Sequence, residues 1–215
     1  LHHSFNGLHI NTVNTISIPA AVELKNKFAQ DFEGIALYRN GRATLTKVNG
    51  EEKAISQGFY AEPAFTDILS LILVKGSVGD FTDPSSILIS ERLAAILFNQ
   101  ADPINQTIKV NNESSAKVVG VYRDFAPNTD FKKRDFILPW SHLLATRPWV
   151  GSAYNQWNNN SFFILAKIAK NADLAVHVSA IETVGGIVVS LAVRPAQVER
   201  HSAAERQSHL RGRPQ

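Results

Sequence analysis

The most polar stretch of the middle of the chain is the segment 124–135, where Asp124, Asn128, Asp130 and Asp135 alternate with Lys132, Lys133 and Arg134. Carboxylates grouped this way could serve general acid–base hydrolysis, which requires environments that hold two acids at different pKa values. No His or Ser lies at usable spacing as a partner. The plainer reading, and the one preferred here, is a capped loop in which Asp124 or Asn128 bonds nearby amides.

A second candidate follows at once. Trp140, Trp149, Tyr154 and Trp157 are interleaved with Asn155, Asn158, Asn159 and Asn160. Aromatic rings beside amides can stack sugars, and Trp and Tyr also anchor protein interfaces. Packing is the first expectation for these four residues, contact with a partner the second, and sugar binding the third. Asp80, Asp83 and Glu91 lack the alternating carboxylates and turn glycine of an EF-hand loop. His2, His3 and His9 have no Asp, Glu or Cys nearby to complete a metal site. No nucleophile elbow, phosphate-binding loop, dinucleotide fingerprint or zinc-protease motif occurs. No catalytic, cofactor or metal residue is therefore assigned.

These groups need elements to hold them. Residues 19–30 read as a helix, with Pro19 in its first turn, Val22, Leu24 and Phe28 inward, and Glu23 four before Lys27. Residues 35–39, 42–48 and 53–60 read as three strands, because Asn40-Gly41 and Asn49-Gly50 are both strong hairpin signals. A three-strand meander is expected. Residues 62–73 read as a helix with Phe65, Ile68, Leu69 and Ile72 at helical spacing, ended by Gly76 and Gly79.

The short branched run Ile87, Leu88, Ile89 follows Asp83-Pro84 and reads as a buried strand. Ser90 is a helix cap with Glu91 in the first turn, and Leu93, Ala94, Ile96 and Leu97 give one apolar face. A short strand at 107–110, a polar turn at Asn111-Asn112 and a longer strand at 117–122 complete the middle. Residues 136–140 form a strand ending at Pro139, residues 161–168 another, and residues 173–184 a helix.

Composition bounds the class. With 44% hydrophobic and 19% charged residues, the 215-residue chain is folded and long enough for one large domain or two lobes. No apolar run reaches the roughly 18 residues that a membrane span needs. The absence of Met marks an excised or processed piece, and the absence of Cys removes disulfide and thiol chemistry. The net charge of +3 is carried by the five Arg and two Glu of residues 193–215. That tail is poor in apolar residues and reads as disordered or non-native, not as a nucleic-acid surface.

The order of motifs from Ser90 onward resembles the extracytoplasmic core domain of MacB/FtsX-like ABC transporter permeases. The resemblance is carried by Ser90, Glu91, Ala94, Phe98, Pro103, Ile104, Ile108, Val118, Val119, Gly120, Val121, Asp124, Pro127, Asn128 and Pro139. Phe65 and Gly76 match upstream, and the likeness spans roughly residues 19–167 and fails past Gly185. Asn105 stands where the family usually has Gly, weakening a turn, and Thr129 stands where Ser is common.

The resemblance implies an α+β fold in two lobes. The first hairpins would join the late strand and helix as one discontinuous body, and a middle lobe at roughly 62–140 would be inserted. Residues 1–18 would be a linker following a membrane helix (or a tag remnant), residues 19–185 the core domain and residues 186–215 a tail. It further implies a non-enzymatic domain on the periplasmic face of the bacterial inner membrane, acting without cofactor. Its partners would be its own membrane helices, a cytoplasmic ATPase, a dimer mate, and a periplasmic adaptor or lipoprotein. Ser90, Glu91, Phe98, Gly120, Asp124, Pro127 and Asn128 would be structural. Trp140, Trp149, Tyr154 and Trp157 would be the partner contacts. The alternative is a soluble secreted hydrolase or carbohydrate-binding protein using the Asp124 to Asp135 loop and the Trp140 to Trp157 patch.

Overall fold

A computed structural model describes residues 2–6, 9–13, 15–48, 52–79, 81–170 and 172, with side chains from residue 15 onward. The expected helix at 173–184, the tail at 186–215, Asp80 and the Asn49-Gly50 pair lie outside the described residues. The chain begins with β1 (His2–Asn6) and β2 (His9–Val13), an antiparallel ribbon in a sheet of its own, where the sequence suggests a linker. Helix α1 (Ile18–Lys27) follows, with Pro19 in its first turn and the expected Glu23–Lys27 ion pair. Leu24 is buried, whereas Val22 faces solvent.

Strand β3 (Phe32–Lys47) runs without interruption through Asn40-Gly41 and pairs antiparallel with β4 (Lys53–Ala61). The expected three-strand meander is therefore two strands, and the reversal falls between residues 47 and 53. There the Lys47 amide donates to the Glu52 carbonyl at 3.0 Å. The reason lies across the ladder. Gly41 sits opposite Gly58, and a Cβ on Gly41 would stand 2.6 Å from the Tyr60 ring. At Gly58 it would stand 2.2 Å from the Phe136 carbonyl oxygen. The glycines are needed for close approach, not for a turn, and neither has a positive φ.

Helix α2 (Ala64–Ile68) is much shorter than the expected 62–73. Ser70 takes a φ of 50°, and the chain is drawn into β5 (Leu73–Gly76), which pairs with a later strand and leaves Ile72 exposed. Strand β6 (Ser86–Ser90) is buried at every residue. Helix α3 (Glu91–Phe98) starts directly after it, capped by Ser90 Oγ, which accepts from the Leu93 amide at 3.1 Å. Leu93 and Leu97 turn inward as expected, while Ile96 is exposed.

Strands β7 (Thr107–Val110) and β8 (Ser114–Tyr122) form a hairpin whose turn residues Asn111 and Asn112 both have positive φ. Asn105 also adopts φ of 63°, and its amide donates to the Val118 carbonyl at 2.8 Å. Asn tolerates the left-handed region, so the turn is kept where the resemblance led us to expect weakening. Strand β9 (Arg134–Pro139), helix α4 (Trp140–Thr146), helix α5 (Trp149–Ser152) and strand β10 (Phe163–Ile168) complete the described fold.

The main sheet runs β10-β3-β4-β9-β6-β8-β5, with β7 bridging β3 and β8. Following the pairs β3–β4, β4–β9, β9–β6, β6–β8, β8–β7 and β7–β3 returns to the first strand, so six strands close a ring. The ring joins the segment expected as the inserted middle lobe to the first hairpin at two seams, the parallel β4–β9 and the antiparallel β3–β7. β10 and β5 extend it outward.

Alternation then sorts the ring's side chains into two cores, while Leu24 and Phe32 form a third, smaller cluster. Leu45, Tyr60, Ile87, Ile89, Ile108, Val118, Phe136 and Leu138 pack together with Leu93 and Leu97 of α3. Phe59, Ala61, Leu88, Val119, Tyr122 and Ile137 face the other way, with Phe65 of α2. β6 reads as an unbroken apolar run because both its faces are covered.

Candidate partner-contact site

The 140–157 segment folds as α4, α5 and a short 3-10 turn over Ala153–Asn155, set against β3 and the residues just before β10. Trp140 is 5% exposed and belongs to the first core. Its indole N–H donates to the Tyr154 hydroxyl at 3.0 Å, and its ring meets Phe162 edge-on at 5.6 Å. Trp140 is thus a support beneath the patch and not a contact residue, a correction imposed by its burial. Phe162, fully buried and bridged to Ile16 through the backbone, also stacks on Trp149 at 5.7 Å. Trp149, Tyr154 and Trp157 remain 40%, 38% and 50% exposed.

Sequence reasoning missed two members of this site. One is Phe162, which fixes both tryptophans. The other is Arg39 of β3, whose guanidinium carbon lies 5.5 Å from the centre of the Trp149 ring. Only the pairing of β3 with β10 brings β3 to this end of the chain. No local signal around Arg39 could have shown it.

One of the amides beside the rings is occupied. Asn159 donates to Gln156 Oε1 at 2.9 Å and accepts from Ser161 Oγ at 2.7 Å.

The acidic loop is used elsewhere. Asp124 Oδ1 accepts from the Arg92 amide at 3.2 Å, at the first turn of α3. Asp135 Oδ1 accepts from Arg92 Nε at 3.0 Å, from Arg92 Nη2, and from Ser90 Oγ at 3.2 Å. Asp124 thus bonds an amide, but one 32 positions away at the start of α3 and not the local amide expected. Pairing with Asp135 holds the Arg92 guanidinium even more firmly protonated than usual. Tyr122, wholly buried beneath this loop, donates to the Arg134 carbonyl at 2.8 Å, and burial pushes its phenol well up.

The remaining motif residues are not uniformly buried. Phe98 is buried, and a Cβ on Gly120 would stand 2.8 Å from the end of the Leu88 side chain. Pro127 and Asn128 are exposed, and Glu91 faces a hollow of about 280 Å³ between β5 and α3 that Val74, Pro103 and Val121 also line. Among the described residues no three His, Asp or Glu are grouped to hold a metal ion. No helix among them is long and apolar enough to cross a membrane.

A family model described as the MacB-like periplasmic core domain matches residues 4–184. The chain belongs to that family. Solved relatives agree on the fold. A domain of a putative permease protein from Porphyromonas gingivalis superposes with a TM-score of 0.67 at 18% identity, covering 81% of this chain and 73% of that one. The periplasmic region of MacB from Actinobacillus actinomycetemcomitans gives 0.62 at 15% identity, covering 92% and 89%. The extracellular domain of the noncanonic ABC-type transporter YknZ from Gram-positive bacteria gives 0.57 at 12% identity, covering 82% and 87%. No curated protein matches. The mixed α/β architecture expected from the MacB-like motifs is the one found, and the domain is of the kind carried by ABC transporter permeases.

Proposed function

We propose that this MacB-like domain sits on the periplasmic face of the inner membrane and transmits ATP-driven motion to a partner or substrate, with no chemistry of its own. The energy source would be a cytoplasmic ATPase, coupled through the permease's membrane helices. Residues 1–18 would lead from those helices, and the transporter would be a dimer engaging a periplasmic adaptor or lipoprotein. The observation that carries this reading is the closed ring of strands within a MacB-like fold. A part that passes on displacement has to resist deformation, and a ring joined at two seams does so better than two lobes linked by one. Trp149, Tyr154 and Trp157 supply the contact surface, and Trp140 holds it in place. The hydrolase alternative is weakened because Asp135 is committed to Arg92 and Ser90.

The domain has no Cys, so in a permease cleared of any other cysteine a single introduced thiol reports cleanly. In the full-length permease, Trp157→Cys carrying a photo-crosslinker should form adducts whose yield changes when ATP is hydrolysed. Adducts that ignore nucleotide would end the proposal. So would a gene without hydrophobic segments of about 20 residues on both sides of the domain.

A further inference from the structure

Arg39 stands apart among the half-buried cations. Arg92 is paired with Asp135 and Arg147 with Glu113. Arg39 has no hydrogen bond and no ion pair among the described residues, and its Nε is buried without an acceptor. A guanidinium carries five donors in a planar fork, matched by the two oxygens of a carboxylate. The guanidinium carbon already lies 5.5 Å from the centre of the Trp149 ring, which is itself stacked on Phe162. The group is therefore oriented before any ligand arrives, so little rotamer freedom remains to be lost.

We propose that Arg39, with Trp149, Tyr154 and Trp157, is a docking site for an Asp or Glu side chain carried on an apolar segment of a protein partner. This rests on the reading of the patch as a partner contact. Charge complementarity selects the occupant: one unpaired cation beside the exposed Trp149 ring suits a single carboxylate flanked by apolar residues. A phosphate polymer or an anionic membrane would call for several cations together, and the neighbouring Arg147 is already paired with Glu113. An exposed Trp against an Arg, in a segment that also exposes a Tyr and a second Trp, is also the composition that concentrates binding energy at protein interfaces.

The test uses the 215-residue chain labelled with ¹⁵N and two capped peptides, Gly-Leu-Glu-Leu-Gly and the same sequence with Gln in place of Glu. The Glu peptide should shift the Trp149 indole N–H and the Arg39 Nε–H saturably, and the Gln peptide should bind about tenfold more weakly. Arg39→Gln should erase the difference between the peptides, and Arg39→Lys should keep part of it. Trp157→Ala, which removes an exposed ring, should weaken both peptides alike. Equal binding of the two peptides, or the same shifts produced by phosphatidylglycerol vesicles, would overturn the assignment. Whole transporters carrying Trp149→Ala and Trp157→Ala separate the two readings. Lost transport without any Glu preference removes the carboxylate and keeps the contact patch. A Glu preference with undiminished transport keeps the site and removes its part in transmission.

Discussion

Asp135 grips Arg92 from 43 positions away, accepting from Nε at 3.0 Å, and the same oxygen also takes the hydroxyl of Ser90 at 3.2 Å. One carboxylate thus ties the end of the 124–135 loop to the residue that caps α3. That arrangement turns a helix start into a clamp between β6 and β9, which already pair at Leu88 and Ile137.

Breaking the clamp should be measurable and modest. Asp135 is largely sheltered and Arg92 half-exposed, so solvent screening limits what the pair contributes. Asp135→Asn is expected to cost about 1 kcal/mol in urea unfolding, and Ser90→Ala about 1 kcal/mol through the lost cap. Because the two residues share a hydrogen bond, the double variant should cost less than the singles added together. Asp130→Asn, an exposed residue of the same loop, should change stability by less than about 0.5 kcal/mol. Strict additivity of the first pair would show that the clamp does not exist.

Two glycines should respond with opposite signs. Gly58→Ala forces a methyl to within 2.2 Å of the Phe136 carbonyl oxygen and 2.5 Å of its ring, in the parallel seam between β4 and β9. A loss of about 3 kcal/mol or failure to fold is expected. Gly151, within α5, has nothing within 4 Å of where a Cβ would stand, so Gly151→Ala should be neutral or stabilising by up to about 1 kcal/mol. Thermal unfolding of the two variants checks the contrast.

His142 should make the domain less stable in mild acid. Its Nδ1 lies 2.7 Å from the Pro84 carbonyl oxygen and must donate, which leaves the neutral Nε2 to accept from Ser114 Oγ at 3.3 Å. Burial lowers its pKa, the Pro84 bond opposes this, and Arg147 adds to the lowering. The unfolded chain therefore binds a proton near pH 6.5 before the folded one does. Stability is greatest above that pH and falls as pH drops toward the lower folded value. His142→Gln should remove that part of the slope, read as the difference in urea midpoint between the two proteins from pH 8 to pH 5. Parallel slopes would place the proton elsewhere.

The aromatic segment should divide into support and surface. Trp140→Ala empties a core position and should cost about 3–5 kcal/mol. Tyr154→Phe leaves the buried Trp140 N–H without its acceptor, at about 1–2 kcal/mol. Trp157→Ala should change stability by under about 0.5 kcal/mol, because half of that ring already faces water. Similar losses for Trp140→Ala and Trp157→Ala in calorimetry would contradict the division.

What the sequence determined by itself is the local structure whose cause lies within a few residues. Ser90 caps α3 because its hydroxyl reaches Leu93 three residues on. Asn111-Asn112 turns the β7–β8 hairpin because Asn accepts positive φ, and the run at Ile87 to Ile89 is apolar because both faces are covered. The same local logic misread Asn40-Gly41. A glycine that permits a turn and a glycine that makes room for Tyr60 look identical until the strand opposite is known. Only the tertiary structure decided the parallel seam of β4 with β9, the closure of β3 on β7, and the meeting of Arg39 with Trp149. Each of these joins distant segments by hydrogen bonds and ring contacts that any strand or ring of similar character could make. Which one is made depends on what the whole ring of strands can bury at once.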